Sequence, residues 1–212
     1  MRDRGLFITL EGGEGSGKTT QIRLLSEVLQ EKGHEVVITR EPGGTPESEK
    51  IRSLLVHREG GNWSPMAECL LLFAGRVMHV DTLIKPALAA GKIVISDRFA
   101  DSTRVYQGYG HGLALAAIEG VNSLALGDFA PDLTFIMDIP VEEGLKRAGK
   151  RLSGDGSGED RFERLGIVFH EKIRQGYLEI AKRDPQRCIV IDAIRSVEEI
   201  AGELKQRVLE RL

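Results

Sequence analysis

The run Gly12-Gly13-Glu14-Gly15-Ser16-Gly17-Lys18-Thr19 limits most tightly what this chain can become. It fits the pattern G-x-x-x-x-G-K-[ST], whose glycines let the backbone wrap until successive N–H groups point inward at a phosphate. Before it lies Leu6-Phe7-Ile8-Thr9-Leu10, an apolar segment suited to a buried strand. After it, from Thr19 to Lys32, Ile22, Leu24, Leu25, Val28 and Leu29 recur at helical spacing, and Gly33 stands as the cap. A loop between strand and helix points the positive end of the helix at the anion it cradles. Lys18 is placed to reach the β/γ-phosphates of a nucleoside triphosphate, and the Thr19 hydroxyl to ligate Mg²⁺. Residues Gly12 through Thr19, with Thr20, are the expected nucleotide cradle.

The rest of the chain alternates in the same manner. Glu35 to Thr39, Lys92 to Ser96, Asp132 to Asp138 and Cys188 to Ile191 read as further strands. Ser64-Pro65 opens a helix whose apolar pattern runs from Met66 to Leu88 with a bend near Pro86, and Val197 to Leu212 closes the chain as an amphipathic helix. In Glu41-Pro42-Gly43-Gly44-Thr45-Pro46 the prolines and glycines forbid regular structure. Strands alternating with helices argue for a parallel sheet covered on both faces, an α/β fold. Ser153-Gly154-Asp155-Gly156-Ser157-Gly158 has the composition of a mobile loop, and since a strand follows it, not of a linker between domains.

Composition narrows the partners. The 29 Lys and Arg against 32 Asp and Glu leave a net charge of −3, too balanced for a chain that coats nucleic acid through its overall field. No apolar run approaches the ~20 residues of a membrane helix, and the six apolar or small residues between Arg4 and Glu11 are too few for a signal core. Cys69 and Cys188 lie far apart and argue against a disulfide framework. The expectation is a cytoplasmic protein of one domain. His57, His79, His111 and His170 show no metal-like spacing and His34 sits in a turn, so no histidine receives a catalytic role.

A phosphate cradle serves motors, switches and kinases alike. The N-K-x-D base reader of a GTP switch is missing. A motor ends its strand in Asp-Glu, whereas here Val94-Ile95-Ser96 is followed by Asp97-Arg98. Arginine offers a planar fork to a second phosphate, and strand C-termini are where ligands bind in parallel sheets. A kinase acting on an already phosphorylated acceptor is the favoured class. Another nucleotide or nucleoside kinase, or a P-loop clamp that binds ATP without a second nucleotide, remains open.

Several motifs together resemble the thymidylate kinases. They are Thr39-Arg40-Glu41-Pro42-Gly43-Gly44-Thr45, Phe73-Ala74-Gly75-Arg76, Asp97-Arg98-Phe99, Ser102 to Gly108, Leu126 to Thr134, and Asp160-Arg161-Phe162-Glu163. The likeness runs in order along nearly the whole chain. It implies a P-loop NTPase fold with a five-stranded doubly wound parallel sheet ordered 2-3-1-4-5. Residues 1–212 would be a single nucleoside monophosphate kinase domain with a mobile lid at about 148–160. The implied reaction makes dTDP from dTMP with ATP and Mg²⁺, by a homodimer that needs neither nucleic acid nor membrane.

Residue by residue, the resemblance gives Phe73 to stacking on thymine and Arg76 to its O4 edge. Arg98 becomes the clamp on the dTMP phosphate, Thr103 and Gln107 base contacts, and Tyr106 the wall beside C2′ of the sugar. Glu11 is given the 3′-hydroxyl and, with Thr19, the metal-bound phosphates. Arg40, Pro42, Ser102 and Glu163 complete the acceptor pocket. Some relatives carry arginine at the loop position that here is Gly15. Without it the charge gathering on the transferred phosphoryl must be met by a lid cation, Arg147, Lys150, Arg151 or Arg161, with Arg151 and Arg161 favoured.

Overall fold

The computed structural model describes residues 4–57, 61–155, 161–162 and 165–212, and for residues 150–155 the backbone alone. Its centre is a sheet of β1 (Phe7–Glu11), β2 (Val36–Arg40), β3 (Ile93–Asp97), β4 (Leu133–Asp138) and β5 (Cys188–Asp192). All pairings are parallel and the order is β2-β3-β1-β4-β5, as the resemblance implied.

Alternation along β1 assigns the two faces. Leu6, Ile8 and Leu10 pack with Ile22, Leu25 and Leu29 of α1 (Lys18–Glu31) and with Leu204 and Val208 of α9 (Val197–Leu209). Phe7 points to the other face, against Phe73, Val80, Ile84, Leu88 and Phe99. Register then places the working ends level. Leu10 of β1 and Arg40 of β2 both lie opposite Asp97 of β3, so the loops that follow these three strands emerge side by side.

Two elements differ from the reading of the sequence. α2 (Pro46–Val56) follows directly on the Pro/Gly segment, capped by the Thr45 hydroxyl accepting from the Ser48 N–H with Pro46 in the first turn. The irregularity of that segment ends at Thr45, one residue earlier than expected. α7 (Val141–Asp155) carries helix through Ser153, Gly154 and Asp155, residues expected in a mobile loop. Val141 and Ala148, one helical face apart, are both buried and anchor it. The remainder of the expected lid, residues 156–160, lies outside the described residues.

The bend foreseen near Pro86 is a wide turn. α3 (Pro65–His79) passes into a π-helical stretch, Val80–Ile84, and then α4 (Lys85–Ala89). A second π-helical stretch, Arg104–Gly110, follows the short α5 (Ala100–Thr103). It carries Tyr106 and Gln107. α6 (Leu115–Leu126) then leads to β4, and α8 (Ile167–Arg183) to β5.

Candidate active site

A cleft of about 1070 Å³ opens where the three level loops meet, at the upper limit of the ~300–1,000 Å³ usual for one small ligand. The phosphate cradle forms one end. Gly17 adopts φ 87° at the N-cap of α1, a left-handed turn that brings the loop onto the helix axis. Lys18 is buried, its Nζ held by the Gly12 and Gly13 carbonyls at 3.2 and 3.1 Å and by Ser16 Oγ at 3.3 Å. Burial and then the nearby charge of Arg98 lower its pKa. Thr19 Oγ1 donates to Asp97 Oδ2 at 3.4 Å, and Asp97 Oδ1 is buried without a hydrogen-bond partner among the described residues.

Beside the cradle stands Arg98, a non-glycine residue at φ 71°. Its Nη1 donates to Tyr177 at 2.9 Å and Ser102 at 3.2 Å, and its Nη2 to Glu14 Oε1 at 2.8 Å and Tyr106 at 3.1 Å. Tyr106 also donates to Glu14 Oε1, at 2.7 Å. Glu14 therefore turns from the cradle toward the expected acceptor end.

Glu11 sits behind this cluster. Glu11 closes β1, is completely buried, and is not among the residues lining the cleft. Its carboxyl accepts from the Phe99 N–H at 2.7 Å, Ser102 at 2.6 Å and Tyr177 at 3.1 Å. It holds the two hydroxyls that in turn hold Arg98. Asp97, not Glu11, shares the Thr19 hydroxyl.

Burial, then the charge of Asp101, push the Glu11 pKa up to about 7, against the Ser102, Arg98 and Phe99 contacts that favour ionisation. A carboxyl raised in the folded state contributes stability fully present below its ordinary pKa near 4.5 and lost as pH rises through about 7. In Glu11→Gln the amide oxygen can keep the Phe99 N–H and the amine can donate to hydroxyls free to rotate. Urea unfolding from pH 5 to 8 should therefore show the variant gaining on wild type by about 1–3 kcal/mol as pH rises. A difference that is flat with pH would contradict this placement of Glu11.

The far end of the cleft is built on α3. Arg76 is buried, with Nε donating to Glu41 Oε2 at 2.6 Å and Nη2 to Thr103 Oγ1 at 3.0 Å. Its guanidinium lies 4.5 Å from the Phe73 ring centre. Phe73 itself is buried, packed on the sheet with the core of that face. Leu72, one turn before Arg76, lines the cleft. Gln107 Nε2 donates to Glu68 Oε2 at 2.8 Å, which leaves Oε1 turned away from that carboxylate. Arg76 Nη1 and Gln107 Oε1 are buried and unpartnered among the described residues. A donor and an acceptor are thus left open by two residues that line the cleft.

Arg40, Pro42, Ser102, Thr103 and Tyr106 all line the cleft as expected. Thr103 Oγ1 accepts from Arg76 Nη2 and keeps its own O–H to donate.

The lid arginines separate. Arg161 donates to the Leu55 carbonyl at 2.8 Å and pairs with Glu68, so it sits at the Gln107 end and not over the phosphate cradle. Arg147 lines the cleft beside Gly15 and Ala148, with Nη1 on the Ala193 carbonyl at 3.1 Å. The side chain of Arg151 and all of Glu163 lie outside the described residues. Gly15 has a direct reason: a Cβ there would lie 2.0 Å from the Gly144 carbonyl oxygen of α7. The backbone of α7 occupies the space where another loop would place a side chain.

The family model described as Thymidylate kinase matches residues 10–204. The thymidylate kinase of Caulobacter vibrioides is 48% identical over 209 residues, covering 99% of this chain and 98% of the relative. That of Geotalea uraniireducens is also 48% identical over 209 residues, 98% of each chain. A crystal structure of thymidylate kinase from Ehrlichia chaffeensis superposes with a TM-score of 0.76 at 37% identity, covering 96% of this chain and 98% of that one.

Proposed function

The chain belongs to the thymidylate kinase family, and on that premise we propose how its own residues divide the work of making dTDP from dTMP and ATP. One observation carries the assignment of ends: the unpartnered donor Arg76 Nη1 and acceptor Gln107 Oε1. Thymine offers the matching pair, the O4 acceptor beside the N3–H donor. Cytosine offers the reverse at both positions.

With the base at that end, the 5′-phosphate meets Arg98, whose fork is aimed by Glu14, Tyr106, Ser102 and Tyr177. Glu14 is the carboxylate for the 3′-hydroxyl, the role first given to Glu11, and Tyr106 lies against the sugar. ATP lays its phosphates in the cradle of residues 12–20 under Lys18. An acceptor phosphate oxygen attacks the γ-phosphorus, the bond from the β–γ bridging oxygen to that phosphorus breaks, and ADP leaves. The acceptor oxygen is already ionised, so no base is needed and positioning with charge neutralisation does the work.

Hard oxygen donors fit Mg²⁺, and the Thr19 hydroxyl with the unpartnered Asp97 Oδ1 supplies them. The ion bound there would neutralise charge on the phosphates. Arg147, the lid arginine lining the cleft beside the cradle, joins Arg151 as candidate for the cation on the transferred group. The domain works as one unit in the cytoplasm and as a homodimer. The exposed Met66, Leu70 and Met78 along α3 support that pairing.

ADP release measured with dTMP, dCMP, dGMP or no acceptor tests the reading. Turnover should be fastest with dTMP by ~10²-fold or more, the scale set by burying mismatched polar groups. Equal turnover without any acceptor would overturn it.

A further inference from the structure

His79, the last residue of α3, is completely buried and belongs to no step of the reaction above. Its Nδ1 lies 2.9 Å from Glu41 Oε1, and its Nε2 lies 2.6 Å from Thr39 Oγ1. In the neutral ring, Nδ1–H donates to the carboxylate and Nε2 accepts the Thr39 hydroxyl. Glu41 Oε2 takes Arg76 Nε at 2.6 Å, and Arg76 Nη2 donates to Thr103 Oγ1 at 3.0 Å and, more weakly, to the Phe99 carbonyl at 3.4 Å. Strand β2 is thereby connected to the guanidinium through Thr39, His79 and Glu41. Gly44, at φ 89°, closes over the pair, since a Cβ there would lie 2.5 Å from Thr39 Oγ1 and 2.6 Å from His79 Nε2.

The arrangement has an alternative that it prevents. A carboxylate beside an arginine favours the bidentate fork, two parallel bonds to Nε and Nη2. Here one oxygen is engaged by the imidazole, so Glu41 makes a single bond and Nη2 stays with Thr103. Freed from His79, Oε1 could swing to Nη2, displace Thr103 and rotate the guanidinium plane. Nη1 would then leave its present direction.

We propose that His79 is a positioning residue for base selection, which holds Glu41 to one bond with Arg76 and so keeps Arg76 Nη1 aimed at the carbonyl edge of the acceptor base. The inference rests on the reading that Arg76 and Gln107 select the base.

The experiment compares KM and kcat for dTMP and dCMP in wild type, His79→Leu, His79→Gln, Thr39→Val and Arg76→Ala. His79→Leu should raise the dTMP KM by ~10-fold or more and shrink the dTMP-over-dCMP preference similarly, with the effect on KM and not on kcat. His79→Gln, whose amide can still donate to Glu41, should restore most of the preference. Thr39→Val, nearly isosteric, should show a smaller loss of the same kind and decides the matter if His79→Leu does not fold. Arg76→Ala is the separate control, because a preference that survives it would refute the base reading itself. If Arg76→Ala abolishes the preference while the Thr39 and His79 variants keep it, or lose kcat equally for both acceptors, the positioning role is overturned.

Discussion

Lys18→Ala is expected to cost at least ~10²-fold in kcat while dTMP binds almost as before, the scale of removing one preorganised charge-stabilising group. Lys18 is buried among the carbonyls of its own loop, and burial with the Arg98 charge already disfavours its cation. On the proposed reading that charge meets the negative charge of the transferred phosphoryl. On the proposed reading the acceptor falls to other residues: Arg98, held by its four partners, and Arg76 and Gln107. Calorimetric titration of dTMP into the folded variant separates the two roles. Loss of dTMP binding together with turnover would mean that donor and acceptor ends have been confused.

Arg98→Ala should do the converse. The expected loss is ~10²–10⁴-fold in kcat/KM for dTMP, the range for truncating one partner of a buried charge pair, with ATP binding largely kept. Glu14 would lose the cation 2.8 Å away, and Tyr106, Ser102 and Tyr177 would lose a shared partner. Arg98→Lys should recover little. A lysine ammonium lacks the planar fork, and its three donors radiate from a single nitrogen. The φ of 71° also means that the clamp is aimed by a backbone few residues adopt, held by burial of Phe99 immediately after it. Fluorescence displacement of an ATP analogue, beside steady-state kinetics with dTMP, checks both halves. An unchanged KM for dTMP would remove Arg98 from the acceptor site.

Much of this was legible in the residues. The cradle is a local motif, and each strand is a short apolar run bounded by glycine, proline or charge, so neither needs tertiary information. The strand order needed the resemblance. What the sequence hides is direction. Glu11 and Glu14 are both carboxylates next to the cradle, yet one ends a buried strand and the other rides the loop into the cleft. Phe73 and Leu72 are neighbours on α3, and only the rotation of that helix against the sheet decides which one lines the wall. Phe73 packs with Phe7, which β1 sends to that same face.

The same limit explains the histidine. No spacing marks His79, because its partners Thr39 and Glu41 come from another strand and its loop. Arg161 was grouped with the lid arginines by sequence proximity, but long-range pairing with Glu68 takes it to the base end. The length of α7 was masked by its glycines, whose helix cost of ~1 kcal/mol each is offset by packing of Val141 and Ala148.

The central claim is that the resting cleft already carries the complement of thymine, in Arg76 Nη1 and Gln107 Oε1. Calorimetric titration of dTMP and of dCMP into the protein without ATP tests it most directly. The two ligands share sugar and phosphate, so Arg98, Glu14 and Tyr106 contribute alike and the difference reports the base alone. dTMP should bind at least ~10²-fold more tightly than dCMP, since cytosine would bury two mismatched polar groups. Equal affinities would contradict the account.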